Sequence, residues 1–284
     1  MPVPIEPQCF VNALLPVVRQ CAQASLVFYG QVADIGKPAD LRLTGTLAQQ
    51  ASTVLTALDS AIQDILLSVV LQRFPSVRCI AEEATPLRRR FAGSRSEYAV
   101  IVDPIDGTVH FRNGDAPYHI SIGLAHRGTM LAAVVARPTE GKIFTAARGA
   151  GAWVHAPTAP PRRLSLPPRP RTNAAYISSK ARAYRDLARP ELEPTDHPVG
   201  AALVLTRLAE GALCAYLTRQ VEVYDVGPPS LIAEEAGARC FLRNGRAPRY
   251  GRRCMFAFFM AAAGAGPAAK LRAMLRAALP GGTP

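Results

Sequence analysis

The stretch Tyr98-Ala99-Val100-Ile101-Val102-Asp103-Pro104-Ile105-Asp106-Gly107-Thr108 joins an apolar run to two carboxylates, a rigid turn and a hydroxyl. The apolar run predicts a buried strand, so Asp103 stands at the carboxyl end of a strand, where α/β sheets bind their ligands. Pro104 disfavours helical geometry at the residue before it and keeps Asp103 extended. A turn through Asp106 and Gly107 then directs both carboxylates towards one point. An ordinary turn between two elements has the same composition, so the stretch needs partners elsewhere in the chain before it indicates a site.

The composition predicts a folded, globular protein and leaves its partners open. The 284 residues suffice for one large domain or two smaller ones, and 49% apolar with 19% charged residues excludes the disordered class. The net charge of +12 comes almost entirely from arginine. Such a surplus suits phosphorylated substrates as well as nucleic acid, and no dense basic run is interleaved with aromatic residues. Charge alone therefore does not choose between an enzyme and a nucleic-acid-binding protein.

Cysteine usage and hydropathy predict a soluble protein of the cytoplasm. The six cysteines, at positions 9, 21, 79, 214, 240 and 254, form no C-x-x-C pair, which indicates small buried thiols in a reducing compartment. Prolines at positions 2, 4 and 7 stand where a secretory signal has basic and apolar residues. The longest apolar run, Met255–Ala265, is far short of the roughly 20 residues that span a bilayer, so no membrane contact is expected.

The order of helical and extended segments predicts α+β or α/β layers. Helices are expected over residues 8–29, 201–210, 227–236 and 268–279, with a further helix that ends at Phe74. Strands are expected over residues 77–81, 98–102, 120–125, 131–136, 174–178, 213–217 and 256–261. Residues 157–171, rich in proline and arginine, mark a domain boundary or an irregular crossover. They separate an N-terminal α+β subdomain, residues 1–156, from a C-terminal α/β subdomain, residues 172–284.

Four carboxylates stand next to extended segments: Glu82, Asp103, Asp106 and Asp225. Each alone is a common solvated cap at a strand end or helix start. Mg²⁺ is a small, hard cation that prefers oxygen ligands, and a site that holds it beside a phosphate needs clustered carboxylates. The four together therefore predict a magnesium and phosphate site.

Three motifs in this order resemble the lithium-sensitive, magnesium-dependent phosphatases typified by inositol monophosphatase. They are Ala81-Glu82-Glu83, Asp103-Pro104-Ile105-Asp106-Gly107-Thr108, and the segment from Tyr224-Asp225-Val226-Gly227 to Glu234-Glu235-Ala236-Gly237. Residues 119–124, 140–146 and 149–153 also look like strands of that family, so the resemblance runs from about the first helix to the last. It implies a layered αβαβα sandwich, a homodimer and Mg²⁺-dependent activity as a phosphoric monoester hydrolase.

The resemblance also implies roles for individual residues. The implied metal ligands, for two or three Mg²⁺ ions, are Glu82, Asp103, the backbone carbonyl of Ile105, Asp106 and Asp225. The implied catalytic residues are Asp59, Thr108 and Glu82, of which Thr108 and Asp59 orient an attacking water. The backbone N–H groups of Gly107 and Thr108, if they open a helix, meet phosphate at its positive end.

The position of the implied upstream aspartate is chosen between two segments. Asp40-Leu41-Arg42-Leu43-Thr44 is superficially similar to the family's segment, but no aspartate follows at the required place. Leu55-Thr56-Ala57-Leu58-Asp59, directly before an apolar-periodic helix, matches better and assigns Asp59. Residues 38–52 then form a longer loop than usual near the site entrance. A plain helix cap is the alternative role for Asp59.

The residues around the implied substrate depart from the family pattern. The implied substrate-binding set is Ile105, Asp106, Gly107, Thr108, Gly200, Ala201, Ala202, Thr218 and Asp225. The turn at residues 200–202 lacks the hydroxyl that often stands at its middle, and Tyr224 replaces a usual tryptophan. Thr218 stands where inositol phosphatases carry a glutamate that binds ring hydroxyls. Arginines at 182, 207 and 219 could favour a second anionic group on the substrate.

The sequence therefore predicts a Mg²⁺-dependent phosphomonoesterase that hydrolyses an inositol phosphate or a sugar phosphate. A first alternative keeps this chemistry and changes the substrate to a 3′(2′),5′-bisphosphate nucleotide. A second alternative, of another class, is an RNA- or transcription-complex-associated factor with residual phosphatase activity, which the basic surface allows.

Overall fold

Two β-sheets form the frame of the computed structural model, which describes residues 4–33, 56–91, 95–188, 191–195 and 199–277. The first sheet has seven strands that are hydrogen-bonded in chain order. They are β1 (Arg78–Ala81), β2 (Tyr98–Asp106), β3 (His119–His126), β4 (Thr129–Arg137), β5 (Lys142–Ala147), β6 (Gly151–Ala156) and β7 (Ala159–Leu164). β1 runs parallel to β2, and each later strand is antiparallel to its neighbour. The turn between β3 and β4 has positive φ at Arg127 and Gly128.

The second sheet has five strands in the order β11, β12, β10, β8, β9. They are β8 (Ala174–Ile177), β9 (Glu193–Thr195), β10 (Ala215–Glu222), β11 (Arg239–Phe241) and β12 (Met255–Ala262). The described residues form seven α-helices: α1 (Pro7–Leu26), α2 (Ala57–Arg73), α3 (Thr108–Asn113), α4 (Arg185–Ala188), α5 (Ala201–Ala209), α6 (Val223–Glu235) and α7 (Ala265–Ala277). Short 3₁₀ segments lie at Leu87–Phe91, Pro138–Glu140 and Ser179–Tyr184.

Strand β2 is buried on both faces because helices cover both sides of the first sheet. Successive residues of a strand point to opposite faces. On one face Val100 packs in the cluster that contains Leu14 of α1 and Leu66 of α2. On the other face Ile101 packs in the cluster that contains Val226 of α6. This double cover explains why β2 is a continuous apolar run rather than an alternating one.

The second sheet is covered in the same way, which completes five layers. Tyr216 of β10 and Phe259 of β12 belong to the cluster that α5 and α6 share with the first sheet. Leu217 of β10 and Met260 of β12 face the other way and pack with Leu271 of α7. The order is therefore helix, sheet, helix, sheet, helix, and the predicted layered αβαβα sandwich is confirmed.

The structure corrects the expected irregular connection over residues 157–171. Ala159–Leu164 forms β7, the outermost strand of the first sheet. The two prolines of this strand argue against a central strand, but proline is tolerated at an edge, where an N–H group is not needed for pairing. Residues of α6 and the second sheet share a core cluster with the first sheet, so buried contacts cross from residues 1–156 to residues 172–284.

The start of α6 also differs from the prediction. Prolines in a helical pattern favour a start near residue 227, yet the helix begins at Val223 and contains Pro228 and Pro229. A reciprocal capping box between Glu222 and Asp225 starts the helix earlier. Asp225 therefore lies inside the first helical turn. Along the described part of the chain, no helix has the length and apolar character needed to cross a membrane.

Candidate active site

The acidic centre begins where β2 ends. Asp103 pairs with Ser121 and Asp106 pairs with His119, so three residue steps on β2 oppose two on β3. This bulge follows from Pro104, which has no N–H group for the ladder, and a bulge redirects the side chains beside it. Asp103 is only 1% exposed, and its Oδ1 has no hydrogen-bond partner among the described residues.

Asp106 is held by the start of α5. Its Oδ2 accepts a hydrogen bond from the backbone N–H of Ala202 at 2.7 Å. The approach is close enough that a Cβ atom at Gly200 would overlap the Asp106 carboxylate, so this position requires glycine. The turn at residues 200–202, predicted to contact substrate, thus lies directly against a predicted metal ligand.

Glu82 and Asp225 complete the acidic centre from two other elements. Glu82 follows β1, and its backbone N–H donates to the carbonyl of Val102, which places it beside Asp103. Asp225 lies in the first turn of α6, where its Oδ2 accepts from the backbone N–H of Glu222 at 3.2 Å. The end of β1, the start of α5 and the start of α6 therefore all lie beside the end of β2.

The carboxylates of this centre influence one another strongly. Burial, followed by the charges of Glu82, Asp106 and Asp225, raises the pKa of Asp103 well above its usual value. Burial, followed by the charge of Asp106, also raises the pKa of Asp225 well above its usual value. Burial raises the pKa of Asp106 to about 7, against the hydrogen bond from Ala202. A cation would relieve this accumulation of buried negative charge.

These groups fit Mg²⁺ by their chemistry. All are oxygen donors, and the unpartnered Oδ1 of Asp103 is a buried acceptor that needs a partner. The carbonyl of Ile105 accepts from Thr108 Oγ1 at 2.9 Å and keeps a second lone pair for a metal ion. No three His, Cys, Asp or Glu side chains in the described segments already form a metal-ligand set.

Asp59 contacts both the start of its own helix and the Thr108 hydroxyl, the two partners that its alternative predicted roles require. It is fully buried in the first turn of α2, and its Oδ2 accepts from Thr56 N at 2.9 Å and from Thr56 Oγ1 at 2.5 Å. Its Oδ1 lies 3.3 Å from Thr108 Oγ1. One carboxylate oxygen thus caps the helix and the other faces the metal loop. Residues 38–52, predicted as a long loop at the entrance, lie outside the described residues.

The Thr108 hydroxyl has one proton and two acceptors within reach. The shorter contact is to the Ile105 carbonyl, and the longer one to Asp59 exceeds the usual range for a hydroxyl donor. Thr108 opens α3 after Gly107, whose φ of 90° is left-handed and suits glycine. Its backbone N–H groups therefore stand at a helix start, as the resemblance implies.

Thr218 lies on the face of β10 that carries Tyr216, towards the acidic centre. It is 3% exposed, and its Oγ1 donates to Ser178 Oγ at 2.9 Å. The sequence prediction missed Ser178 as a site residue and included it as the last residue of a predicted strand, whereas the strand ends at Ile177. The prediction also missed Lys180, which donates to the carbonyl of Gln220 at 2.9 Å and whose charge acts on Asp225.

The side chain of Arg219 contacts an aromatic ring of the second sheet. Adjacent strand residues face opposite ways, so Arg219 points away from the side of Thr218. Its guanidinium lies 5.0 Å from the ring centroid of Phe258, which belongs to the outer cluster of the second sheet. The contact of Arg219 with Phe258 lies on the outer face of the second sheet, and its role in substrate recognition stays a prediction.

The buried side chain of Arg137 connects two elements that contact Asp106, strand β3 and helix α5. Arg137 is 1% exposed, and it donates to Thr206 of α5 at 2.6 Å and to His119 Nε2 at 3.2 Å. It also donates to Glu140 at 2.9 Å and to Glu210 at 3.1 Å. Thr206 belongs to the helix whose start holds Asp106, and His119 pairs with Asp106 across the sheet. The sequence prediction did not include this network.

The raised pKa values predict how stability depends on pH without metal. Burial raises the pKa of Asp59 to about 6 and the pKa of Asp106 to about 7 in the folded protein, whereas an aspartate in an unfolded chain has a pKa of about 3.9. At these two carboxyl groups the folded state binds more protons than the unfolded state between pH 4 and 7, so their contribution to stability falls as pH rises through that window. The buried His119, whose pKa burial lowers well below its usual value, contributes in the opposite direction and offsets part of this fall. We expect a lower melting temperature in EDTA at pH 8 than at pH 5, and Mg²⁺ should reverse this fall. A melting temperature that rises with pH in EDTA would contradict the acidic centre as described.

The layered αβαβα sandwich and the buried acidic centre at the end of β2 can now be compared with known protein families. A model of the inositol monophosphatase family matches residues 18–277. The chain belongs to the inositol monophosphatase family, and this membership supports a phosphatase of that superfamily.

Relatives from several organisms share the sequence and the fold. Human inositol monophosphatase 2 is 30% identical over 200 residues, which cover 66% of this chain and 67% of the human protein. A putative Nus factor SuhB of Neisseria meningitidis serogroup B is 27% identical over 239 residues, with 80% and 85% covered. A solved IMPase of Thermotoga maritima has a TM-score of 0.76 at 17% identity, with 94% and 96% covered. The extragenic suppressor protein suhB of Bartonella henselae also has a TM-score of 0.76, at 21% identity, with 95% and 100% covered.

Proposed function

We propose that this protein is a Mg²⁺-dependent phosphomonoesterase acting on a small phosphate ester such as an inositol or sugar phosphate. The observation that carries the proposal is the unpartnered, buried Oδ1 of Asp103 among three further carboxylates. A buried carboxylate oxygen without a partner is costly, and a cation in the site would offset that cost. The overall positive charge supports an anionic substrate.

The residues of the acidic centre have distinct proposed roles. Glu82, Asp103, the Ile105 carbonyl, Asp106 and Asp225 would hold the metal. When bound, Mg²⁺ supplies activation of a water and stabilisation of the leaving oxygen. Thr108 would orient the water by accepting a hydrogen bond from it at Oγ1, while its own hydroxyl donates a hydrogen bond to Asp59 Oδ1 in place of the Ile105 carbonyl. The backbone N–H groups of Gly107 and Thr108 bind phosphate oxygens.

The uncharged Thr218 stands at the position where inositol phosphatases carry a glutamate. Thr218 and Ser178 offer hydroxyl groups there, and Lys180 adds a positive charge near Asp225. Hydroxyl groups bind sugar hydroxyls without requiring a particular charge. A 3′(2′),5′-bisphosphate nucleotide is the alternative substrate, because Lys180 can pair with its second phosphate.

A role in a transcription complex is the second candidate function. It is supported by the similarity to proteins named Nus factor SuhB and by the net charge of +12. RNA binding that falls steeply with salt and persists in an Asp103→Asn variant would favour this role. A cytoplasmic homodimer inhibited by lithium is proposed from family resemblance alone.

A panel of phosphate esters tests the leading proposal. Phosphate release should be measured on inositol 1-phosphate, sugar phosphates and adenosine 3′,5′-bisphosphate, each with Mg²⁺ and with excess EDTA. We expect release only with Mg²⁺ and the fastest release from an inositol or sugar phosphate. Preference for the bisphosphate would select the nucleotidase alternative. Release that continues in EDTA would refute the metal-dependent mechanism.

A further inference from the structure

A polar cavity lies at the end of the first sheet opposite the acidic centre. Its volume is about 620 Å³, and five arginines line it: Arg78, Arg95, Arg127, Arg249 and Arg252. We call this cavity the arginine pocket. It adjoins the start of β2 at Tyr98, whereas Asp103 lies five residues further along that strand. At about 3.3 Å per residue the separation along the strand is about 16 Å, so the two sites are distinct.

The arginine pocket carries a large excess of positive charge. Glu97 is the one acidic residue among the described residues that line it. Glu97 already binds Arg127 Nε at 2.8 Å and lies 3.6 Å from His126 Nε2. It therefore balances at most one arginine, and the remaining guanidinium charges in the pocket have no acid in the lining to balance them. Clustered like charges repel, so a bound anion would lower this repulsion.

Backbone carbonyls hold two of the guanidinium groups in place. Arg78 donates from Nε to Ser96 O at 2.6 Å and from Nη1 to Gly251 O at 2.8 Å. Arg249 donates from Nη2 to Arg127 O at 2.6 Å. A guanidinium has five N–H donors, so each group keeps further donors for a ligand. Arginines that are oriented in advance lose less entropy on binding than freely moving side chains.

The walls of the arginine pocket are joined by close backbone contacts. Gly128 has a φ of 79°, and its carbonyl accepts from the N–H of Tyr250 at 2.9 Å. A Cβ atom at Gly251 would lie 3.2 Å from the Cα atom of Gly128. The turn between β3 and β4 and the segment before β12 therefore pack directly against each other, which fixes the distance between arginines carried on both.

We infer that the arginine pocket binds a small ligand carrying two or more phosphate groups. Arginine matches phosphate oxygens with paired, charge-assisted hydrogen bonds, and several arginines around one cavity match several such groups. The volume lies in the range of small-molecule sites. No aromatic side chain lines the pocket among the described residues, so it offers no surface on which bases of a nucleic-acid strand would stack.

Binding of inorganic tripolyphosphate to the full-length protein tests this inference. Titration calorimetry in EDTA avoids any anion binding through Mg²⁺ at the acidic centre. In the Arg95→Gln/Arg252→Gln variant both changed side chains are exposed, so we expect it to fold and to bind at least about tenfold more weakly. The matched control is Arg162→Gln/Arg163→Gln, which removes equal charge from exposed positions on β7 and should change affinity less than about twofold.

A further variant and a second probe complete the test. Glu97→Gln removes the acid from the arginine pocket and should tighten tripolyphosphate binding. Equal weakening in both double variants, or no measurable binding to the wild-type protein, would overturn the inference. A single-stranded RNA 12-mer is the second probe. If it binds through Arg95 and Arg252 while tripolyphosphate does not bind, the ligand of the arginine pocket is nucleic acid and the inference is overturned. These outcomes do not depend on whether the protein hydrolyses a phosphate ester.

Discussion

Replacing Asp103 by asparagine is expected to abolish Mg²⁺-dependent phosphate release and to raise the melting temperature of the metal-free protein. The carboxylate is buried, its Oδ1 has no hydrogen-bond partner among the described residues, and burial together with Glu82 holds its pKa well above the usual value. An asparagine removes this charge, and its amide can donate to Glu82. The same change removes a proposed metal ligand. Since metal-ion catalysis supplies several kcal/mol, activity should fall at least about a hundredfold.

The matched control for this variant is Asp186→Asn, an exposed carboxylate on α4. Phosphate release with Mg²⁺ and melting curves with EDTA and with Mg²⁺ should be recorded for both variants and the wild type. The control should follow the wild type in every measurement. Asp103→Asn should show little or no stabilisation by Mg²⁺. Wild-type activity in Asp103→Asn would remove the basis of the proposed mechanism.

Replacing Arg137 by methionine is expected to destabilise the fold by about 3 kcal/mol. The side chain is 1% exposed, and its guanidinium donates to Thr206, His119, Glu140 and Glu210 and lies 5.0 Å from the ring centroid of Phe144. Methionine fills much of the volume but leaves these acceptors without their donor. Removing one partner from a buried, charged network is costly because the others stay buried.

Urea unfolding of Arg137→Met and of Lys142→Met compares a fully buried member of the network with a partly exposed one. Lys142 binds Glu140 at 2.9 Å and Glu210 at 3.0 Å, but its side chain is 32% exposed. Ion pairs with exposed partners contribute at most about 1 kcal/mol, so Lys142→Met should lose about that much or less. If both variants lose the same free energy of unfolding, the burial of Arg137 adds nothing to the strength of its interactions.

The sequence was sufficient for the layers and for the acidic residues that converge. A continuous apolar run predicts a doubly covered strand, and β2 is one because Val100 and Ile101 meet different helical layers. Carboxylates at the ends of adjacent strands predict proximity, and the bond from Glu82 N to Val102 O shows that β1 and β2 are neighbours there. Local pattern and strand order carry this information.

Other features depend on contacts that no local pattern contains. β7 is tolerated with two prolines only because it lies at the sheet edge, which is a property of the whole sheet. Arg137 gathers partners from β3, α5 and the segments beside them, and no spacing in the sequence signals that meeting. The arginine pocket likewise joins β1, the β3–β4 turn and the segment before β12.

Asp59 and Asp225 stabilise helix starts, a structural role that Asp103 does not have. Asp59 and Asp225 each occupy the third position of a reciprocal capping box, where one carboxylate oxygen accepts from the backbone at the helix start. A descendant that lost catalysis would still be selected to keep both aspartates, because the helices need them. Asp103 has no such protection, and natural selection for folding alone would discard a buried charge of this kind. Across a lineage, drift at Asp103 therefore marks the loss of enzymatic activity, whereas persistence of the two capping aspartates does not.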